Sequence, residues 1–112
     1  MSNKEKFLGE FEQMLMLALL QLKEQAYGAE IRQLLDKQVS RTVAIGAIYS
    51  TLERLERKGM VTSWLGESTP ERGGRAKRYF AVTAQGQSAL KRAKDAMDTL
   101  WQSITIRQAN TA

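Results

Sequence analysis

The chain has 112 residues, 43% of them hydrophobic and 26% charged, which are ordinary values for one soluble globular domain. It contains neither cysteine nor histidine, which excludes zinc fingers, thiol catalysis, Ser-His-Asp triads and histidine-based metal sites. We expect no metal and no cofactor, and a cytoplasmic location fits the absence of cysteine. The longest apolar run, Met14 to Leu20, has seven residues, whereas a membrane-spanning helix needs about 20.

The net charge of +5 is concentrated in the centre of the chain. Residues 37–78 hold nine basic and four acidic residues, so this stretch carries the whole excess and the remainder is neutral. A basic centre between neutral flanks indicates a surface that binds a polyanion such as nucleic acid. The alternative is an ordinary solvated surface on which the charges cluster by accident.

The first predicted helix covers residues 10–22. Its main apolar face recurs at spacings of three and four, the helical period, and consists of Phe11, Met14, Leu15, Ala18, Leu19 and Leu22. Further apolar residues on the other side are Met16, Leu17 and Leu20. A helix that is apolar nearly all round needs two partners, its own core and a second surface.

Two shorter helices are predicted over residues 28–37 and 44–58. Ser40 or Thr42 in the connection could cap the second of them, because hydroxyl side chains accept hydrogen bonds from the first turn of a helix. The inner face of helix 44–58 consists of Ile45, Ile48, Leu52 and Leu55. Gly59 is expected to end this helix, since glycine favours the position after a helix terminus.

The period then changes to that of strands, which are predicted over 60–65 and 77–83. The connection between them contains a proline and paired glycines, so it reads as a long hairpin loop. Thr83 is expected to cap a final helix over 84–106. Its apolar residues have the three-four spacing of a coiled-coil seam and are Leu90, Ala93, Met97, Leu100 and Ile104.

This order of elements predicts a mainly α fold with a two-stranded β wing, that is, a winged helix-turn-helix. We assign residues 8–83 to the winged helix, 84–106 to a C-terminal dimerisation helix and 107–112 to a frayed tail. In such a fold, helix 44–58 is offered to the major groove of DNA and the wing lies beside it.

The candidate DNA-binding residues share small, hydroxyl or basic side chains. Small residues let the backbone approach bases, hydroxyls bond to base edges or phosphates, and arginines in a flexible loop can lie over phosphates. The candidates on and before helix 44–58 are Thr42, Ala44, Ala47, Ser50, Thr51 and Arg54, and those in the wing are Arg72, Arg75, Lys77 and Arg78.

A homodimer is expected to form through the first and last helices. The predicted interface consists of Phe11, Met14 and Leu15 on the first helix and Leu90, Ala93, Met97, Leu100 and Ile104 on the last. Met97 and Trp101 lie four residues apart and share a face, so together they could clasp a flat apolar effector. Alternatively, Trp101 packs on the first helix against Phe11 or Met14.

The chain resembles PadR-like transcriptional regulators over about residues 8 to 106. The resemblance rests on a Gly-x-x-Tyr-x-x-Leu-x-x-Leu-x-x-x-Gly block at 46–59 and on a Tyr-Phe-x-x-Thr-x-x-Gly block at 79–86, with shorter matches at 27–31 and 73–78. The family often has Ser-Pro before the first of these glycines, where this chain has Ala44 and Ile45.

The resemblance implies a dimeric bacterial repressor that binds an inverted repeat near its target promoter. It implies that Tyr49 reaches the DNA backbone and that the first and last helices form the dimer. Some similar regulators respond to phenolic acids or planar drugs bound between the subunits. The alternative function is a winged-helix adaptor that contacts proteins without specific DNA binding. An enzyme is not expected, because the carboxylate pairs lie among bases and no glycine-rich phosphate loop follows a strand.

Overall fold

The fold is that of a computed structural model, which describes residues 7–67 and 76–104. In this part of the chain every predicted element is present, in the predicted order. The elements are α1 (Glu10–Leu22), a single 3-10 turn (Lys23–Gln25), α2 (Gly28–Val39), α3 (Ile45–Arg57), β1 (Val61–Leu65), β2 (Arg78–Val82) and α4 (Ala84–Gln102). The predicted bounds agree to within two residues, except that α4 ends at Gln102 rather than 106. The predicted tail lies outside the described residues.

The core is formed where α1, α2 and α3 meet the inner face of the hairpin. Its fully buried large side chains are Leu15, Met16, Ile31, Ile48, Leu52, Leu55, Val61 and Phe80. On α3 these positions recur at the helical spacings of four and three, and each strand contributes one of them, Val61 on β1 and Phe80 on β2. The prediction that Leu15 contributes to a dimer interface is wrong, because its exposed fraction is 0% within its own subunit.

The wing is an antiparallel hairpin tied to the helical body. Val61 pairs with Val82 and Leu65 with Arg78, so β1 and β2 are in register along their whole length. The backbone N–H of Phe80 donates to the carbonyl of Ala26 at 3.0 Å. The connection between α1 and α2 therefore adds a short third partner to the sheet.

The helix ends confirm two of the capping predictions. The Oγ1 of Thr83 accepts a hydrogen bond from the N–H of Gly86 at 3.0 Å and donates to the carbonyl of Gly59 at 2.7 Å. Gly59 follows α3 with a φ of +82°, a conformation that glycine adopts without strain. The end of α3 and the start of α4 are thus held together by one hydroxyl.

The predicted cap at the start of α3 is wrong. Ala44 occupies the N-cap position and provides no side-chain hydrogen bond. Ser40 instead ends α2 in the left-handed conformation, with a φ of 53°. The Oγ1 of Thr42 donates to Asp36 Oδ1 at 3.0 Å, so this hydroxyl is engaged with the preceding helix.

The second half of α4 extends away from the core. Leu90 is buried at 8% exposure, whereas Leu100 is 66% exposed and Ile104 is 59% exposed. The seam predicted on this helix is therefore covered at its start and open to solvent at its end. Within the described ranges, no helix has both the length and the apolarity required to cross a bilayer.

Candidate nucleic-acid interface

α3 presents small and basic side chains on the face opposite the core. The exposed residues of this outer face, together with the N-cap, are Ala44, Gly46, Ala47, Ser50, Glu53, Arg54 and Arg57. Ile45, which the sequence predicts on the inner face, is 39% exposed beside them. The side chains of this face are small in the first two turns and mostly charged afterwards. A ligand can therefore approach the backbone at the start of α3 closely. The guanidinium groups of Arg54 and Arg57 lie further along the same helix.

Thr51 does not lie on this outer face, contrary to the prediction. Its exposed fraction is 5%. It follows Ile48 by three residues and precedes Leu55 by four, so the helical period turns it toward the core. We therefore remove Thr51 from the candidate DNA contacts.

Two glycines at this surface have different surroundings. Apart from the adjoining backbone of α3, a Cβ built on Gly46 would meet no atom of the described residues within 4 Å, whereas a Cβ on Gly28 would lie 2.6 Å from the hydroxyl oxygen of Tyr49. Gly28 thus allows the Tyr49 phenol to pack against the start of α2. Gly46 has no such neighbour, and its absent side chain leaves the first turn of α3 uncovered.

Tyr49 lies at the junction of α2, α3 and the wing. Its ring centroid is 6.0 Å from that of Phe80, and the side chain is half-buried. Together with Tyr27 and Lys77 it lines a surface cavity of about 580 Å³. The Lys77 ammonium and the start of α2, which carries the positive end of a helix dipole, lie at this cavity. The carboxylate of Glu30 in the first turn of α2 accepts a hydrogen bond from the Tyr27 hydroxyl at 3.3 Å.

The basic residues at the base of the wing make intramolecular contacts. The Nζ of Lys77 lies 3.6 Å from the ring centroid of Tyr27, a cation–π contact. The guanidinium of Arg78 donates to Glu56 Oε1 at 3.3 Å and to Ser63 Oγ at 3.0 Å. Both side chains are half-buried and anchor the wing to the body. The predicted contacts Arg72 and Arg75 lie outside the described residues.

A buried carboxylate on α1 holds two cations of α3. Glu12 has a side-chain exposure of 9%, and its Oε2 lies 3.4 Å from Arg54 Nε and 3.2 Å from Lys58 Nζ. Its Oε1 accepts from the N–H of Gly9 at 2.8 Å. Burial by itself raises the pKa of Glu12, but the Gly9 N–H, the Lys58 ammonium and the Arg54 guanidinium outweigh burial, so the pKa lies below its ordinary value.

This depressed pKa gives a stability that depends on pH. Glu12 stabilises the fold above its unfolded-state pKa, and the contribution is lost as the pH falls through the lower folded-state pKa. At neutral pH we expect Glu12→Gln to lower the free energy of unfolding by about 1–2 kcal/mol, since the two cations are partly exposed and regain water. Urea denaturation across the acid range should show this difference shrinking toward low pH. A difference that stays constant would contradict the assignment.

The exposed apolar face of α1 is not the one predicted for dimerisation. Phe11 and Met14 are half-buried on the side that Arg41 covers, with the guanidinium carbon of Arg41 5.8 Å from the Phe11 ring centroid. Leu17 and Leu20 are the exposed leucines, at 49% and 39%.

A surface cavity of about 510 Å³ separates α1 from α4. The residues that line it are Gln13, Leu17, Leu20, Gln87, Leu90, Lys91, Lys94, Met97 and Asp98. Met97 is 56% exposed, and Trp101, one turn further along α4, is 54% exposed. The half-exposed indole of Trp101 is not part of the subunit's core. The cavity lies between α1 and the part of the α4 seam at which the exposed residues begin.

The sequence-based site prediction omits exposed residues on both α3 and α1, among them Gly46, Arg57, Leu17 and Leu20. Gly46 precedes Ser50 by four residues and Arg57 follows it by seven, so the helical period alone could have placed both on the outer face. Leu17 and Leu20 belong to the face of α1 that remains after its own core is filled. The identity of that face depends on where α2 and the wing pack.

Three comparisons place this geometry among known proteins. The transcriptional regulator PadR-like family model matches residues 16–92. The chain is 32% identical over 88 residues to the transcriptional regulator Rv3488 of Mycobacterium tuberculosis, and the alignment covers 79% of this chain and 78% of that protein.

Solved structures agree with this assignment. A PadR-like transcription factor from Bacteroides fragilis has 30% sequence identity and a TM-score of 0.70, covering 83% of this chain and 84% of that one. A PadR-family transcriptional regulator from Eggerthella lenta, at 24% identity, shares the fold with a TM-score of 0.65 over 84% of this chain and 81% of that one. The helical order, the wing and the last helix match those of the Bacteroides fragilis protein, and the chain belongs to the PadR-like family of transcriptional regulators.

Proposed function

We propose that this PadR-like regulator is a cytoplasmic repressor that binds an inverted-repeat DNA operator as a homodimer. The observation that carries the proposal is the outer face of α3, where exposed small residues are followed by Arg54 and Arg57. Small side chains allow backbone and hydroxyl groups to approach base edges in the major groove, and arginine bonds to guanine or phosphate. The winged helix, residues 8–83, reads DNA in this proposal, and the helix that begins at residue 84 joins the subunits.

The proposed contacts fall into two sets. Ala44, Gly46, Ala47 and Ser50 face the bases and determine sequence preference. The residues proposed to bind phosphates are Thr42, Tyr49, Arg54, Arg57, Lys77 and Arg78, with Arg72 and Arg75 of the loop. Because phosphate contacts displace condensed counterions, affinity for any duplex should fall steeply as the salt concentration rises.

Gly46 provides a test that separates DNA binding from folding. A methyl group at this position meets no described residue beyond the adjoining backbone of α3, so Gly46→Ala should raise the free energy of unfolding by about 0.4–1 kcal/mol. The same methyl stands where DNA is proposed to approach, and we expect affinity for the preferred duplex to fall about tenfold, as for the loss of one base contact.

The matched control for Gly46→Ala is Ser88→Ala, an exposed position on α4 away from the proposed DNA face. Fluorescence anisotropy with labelled duplex measures the affinity and urea denaturation measures the stability. A Gly46→Ala protein that binds DNA as tightly as the Ser88→Ala protein would contradict the proposed placement of α3.

The proposed dimer pairs the open apolar faces of α1 and α4. Exposed apolar patches mark interaction sites in soluble proteins. Here Leu17, Leu20 and Met97 line one cavity, and the exposed Leu100 and Ile104 follow Met97 at spacings of three and four. A two-fold axis brings each such face against its copy. The dimer then presents two copies of α3 to two half-sites, and its occupancy of a promoter prevents initiation of transcription.

We further propose that a small planar aromatic effector binds beside Met97 and Trp101 and releases the operator. The cavity of about 510 Å³ that Met97 lines has the size of a small-molecule site. Titration with planar aromatic compounds should quench the fluorescence of Trp101 and weaken DNA binding. Trp101→Phe retains Trp64 of β1 as the control fluorophore. Equal quenching in both proteins would contradict an effector site at Trp101.

A further inference from the structure

Glu12 is a buried carboxylate whose cationic partners lie on the proposed DNA-reading helix. One oxygen accepts from the N–H of Gly9, and the other accepts from Arg54 and Lys58 on α3. Arg54 and Lys58 lie 42 and 46 residues from Glu12 in sequence. Charge-assisted hydrogen bonds of this kind fix geometry as well as adding stability, so α1 and the end of α3 are held in one arrangement.

The atom through which Arg54 binds Glu12 matters for DNA recognition. Arg54 donates through Nε, on the inner edge of the planar guanidinium, and its side chain stays 47% exposed. Among the residues that the structure describes, none binds the fork of terminal nitrogens, so the fork can bind an acceptor outside the subunit. Glu12 therefore orients Arg54 without occupying the part of it that bonds to phosphate or guanine.

Lys58 completes the anchor at the end of α3. It is the C-cap residue of that helix, and its Nζ lies 3.2 Å from the carboxylate oxygen that Arg54 also contacts. Arg54 and Lys58, one turn apart at the end of α3, both bind this single oxygen, which tethers the end of the helix to α1 and restrains its direction. That direction decides how Gly46, Ala47 and Ser50 meet a groove, and binding groups that are misplaced by a fraction of an ångström lose discrimination.

We propose that Glu12 is a positioning residue for DNA recognition, which sets the angle of α3 and the orientation of Arg54 without touching DNA. The proposal rests on the proposed function of α3. α1 also carries the apolar face assigned to the dimer. Glu12 therefore links the helix that contacts the partner subunit to the helix that reads DNA.

The test compares Glu12→Gln with Glu10→Gln. Glutamine at position 12 can still accept from the Gly9 N–H but loses both ion pairs. Glu10 lies in the same turn of α1, is 76% exposed and contacts Arg41, so Glu10→Gln makes the same change in net charge at the surface. The affinities of both variants are measured for a duplex that the wild-type protein selects from a random pool and for a random duplex, as a function of salt.

We expect Glu12→Gln to lower the ratio of selected to random affinity about tenfold, comparable to the loss of a base contact. For this variant, the slope of log affinity against log salt concentration should become steeper by about one for each cation that is released from Glu12 and contacts a phosphate. Glu10→Gln should leave the ratio at the wild-type value. A purely structural role lowers the folded fraction and therefore affects both duplexes alike, leaving the ratio unchanged.

A ratio for Glu12→Gln equal to that of Glu10→Gln would overturn the positioning role while leaving the proposed function intact. If Glu12→Gln does not fold, Glu12→Asp retains the charge and withdraws the carboxylate by one methylene. We expect it to lower the ratio about threefold, a fraction of one base contact, and an unchanged ratio would overturn the role. A wild-type protein that selects no sequence would instead overturn the proposed function itself.

Discussion

Gly86→Ala is expected to lower the free energy of unfolding by about 3 kcal/mol or more, because overpacking of this kind displaces backbone. Gly86 is buried in the first turn of α4, where a Cβ would overlap the carbonyl oxygen of Met60 and lie 2.8 Å from Val82 Cγ1 and 3.0 Å from Met16 Cε. A carbonyl of the main chain cannot rotate aside as a flexible side chain can. The loss should lower the melting temperature by roughly 10–20 °C.

The matched control is Gly46→Ala, which makes the same chemical change in the first turn of another helix, where the added Cβ would meet no other part of the described structure within 4 Å. The changes in the free energy of unfolding of the two variants, measured by thermal and urea denaturation, should therefore differ in sign as well as in size. A Gly86→Ala protein as stable as the wild type would show that α4 does not pack against the connection between α3 and β1 as described.

Leu100→Asp is expected to convert the proposed dimer to a monomer and to weaken operator binding by about 100-fold or more, because a monomer loses the second half-site. Leu100 is 66% exposed in the subunit, so the substitution should change the stability of the isolated subunit by less than about 0.5 kcal/mol. In the dimer, however, it would place a charge in an apolar seam.

Thr99→Asp is the matched control for Leu100→Asp. It adds the same charge at the neighbouring exposed position, off the seam. Light scattering should give a dimer for the wild type and for Thr99→Asp, and a monomer for Leu100→Asp. A Leu100→Asp protein that remains dimeric would contradict the role of the α4 seam.

The fold could be predicted closely because its elements are local patterns. The spacing of apolar residues places α1 at its observed bounds. Gly59 marks the end of α3 because glycine tolerates a positive φ, and Thr83 marks the start of α4 because its hydroxyl caps the helix. The prediction for the start of α3 was wrong because residue type alone cannot distinguish a cap from other uses of a hydroxyl. Thr42 bonds to Asp36 instead.

The candidate site was predicted less well because it depends on how the elements pack. Thr51 was assigned outward as a polar residue, although its position between Ile48 and Leu55 in the helical period turns it inward. Leu15 was assigned to the dimer because α1 is apolar on nearly every side, and only packing decides which stripe is internal. No local pattern relates Glu12 to Arg54 and Lys58, which lie far along the chain.

Selection from a pool of random duplexes shows whether a two-fold dimer reads DNA through the outer face of α3. We expect enrichment of an inverted repeat whose half-site centres lie about 10 bp apart, one helical turn, or a multiple of that spacing. Enrichment of no sequence, or of a site without two-fold symmetry, would contradict it.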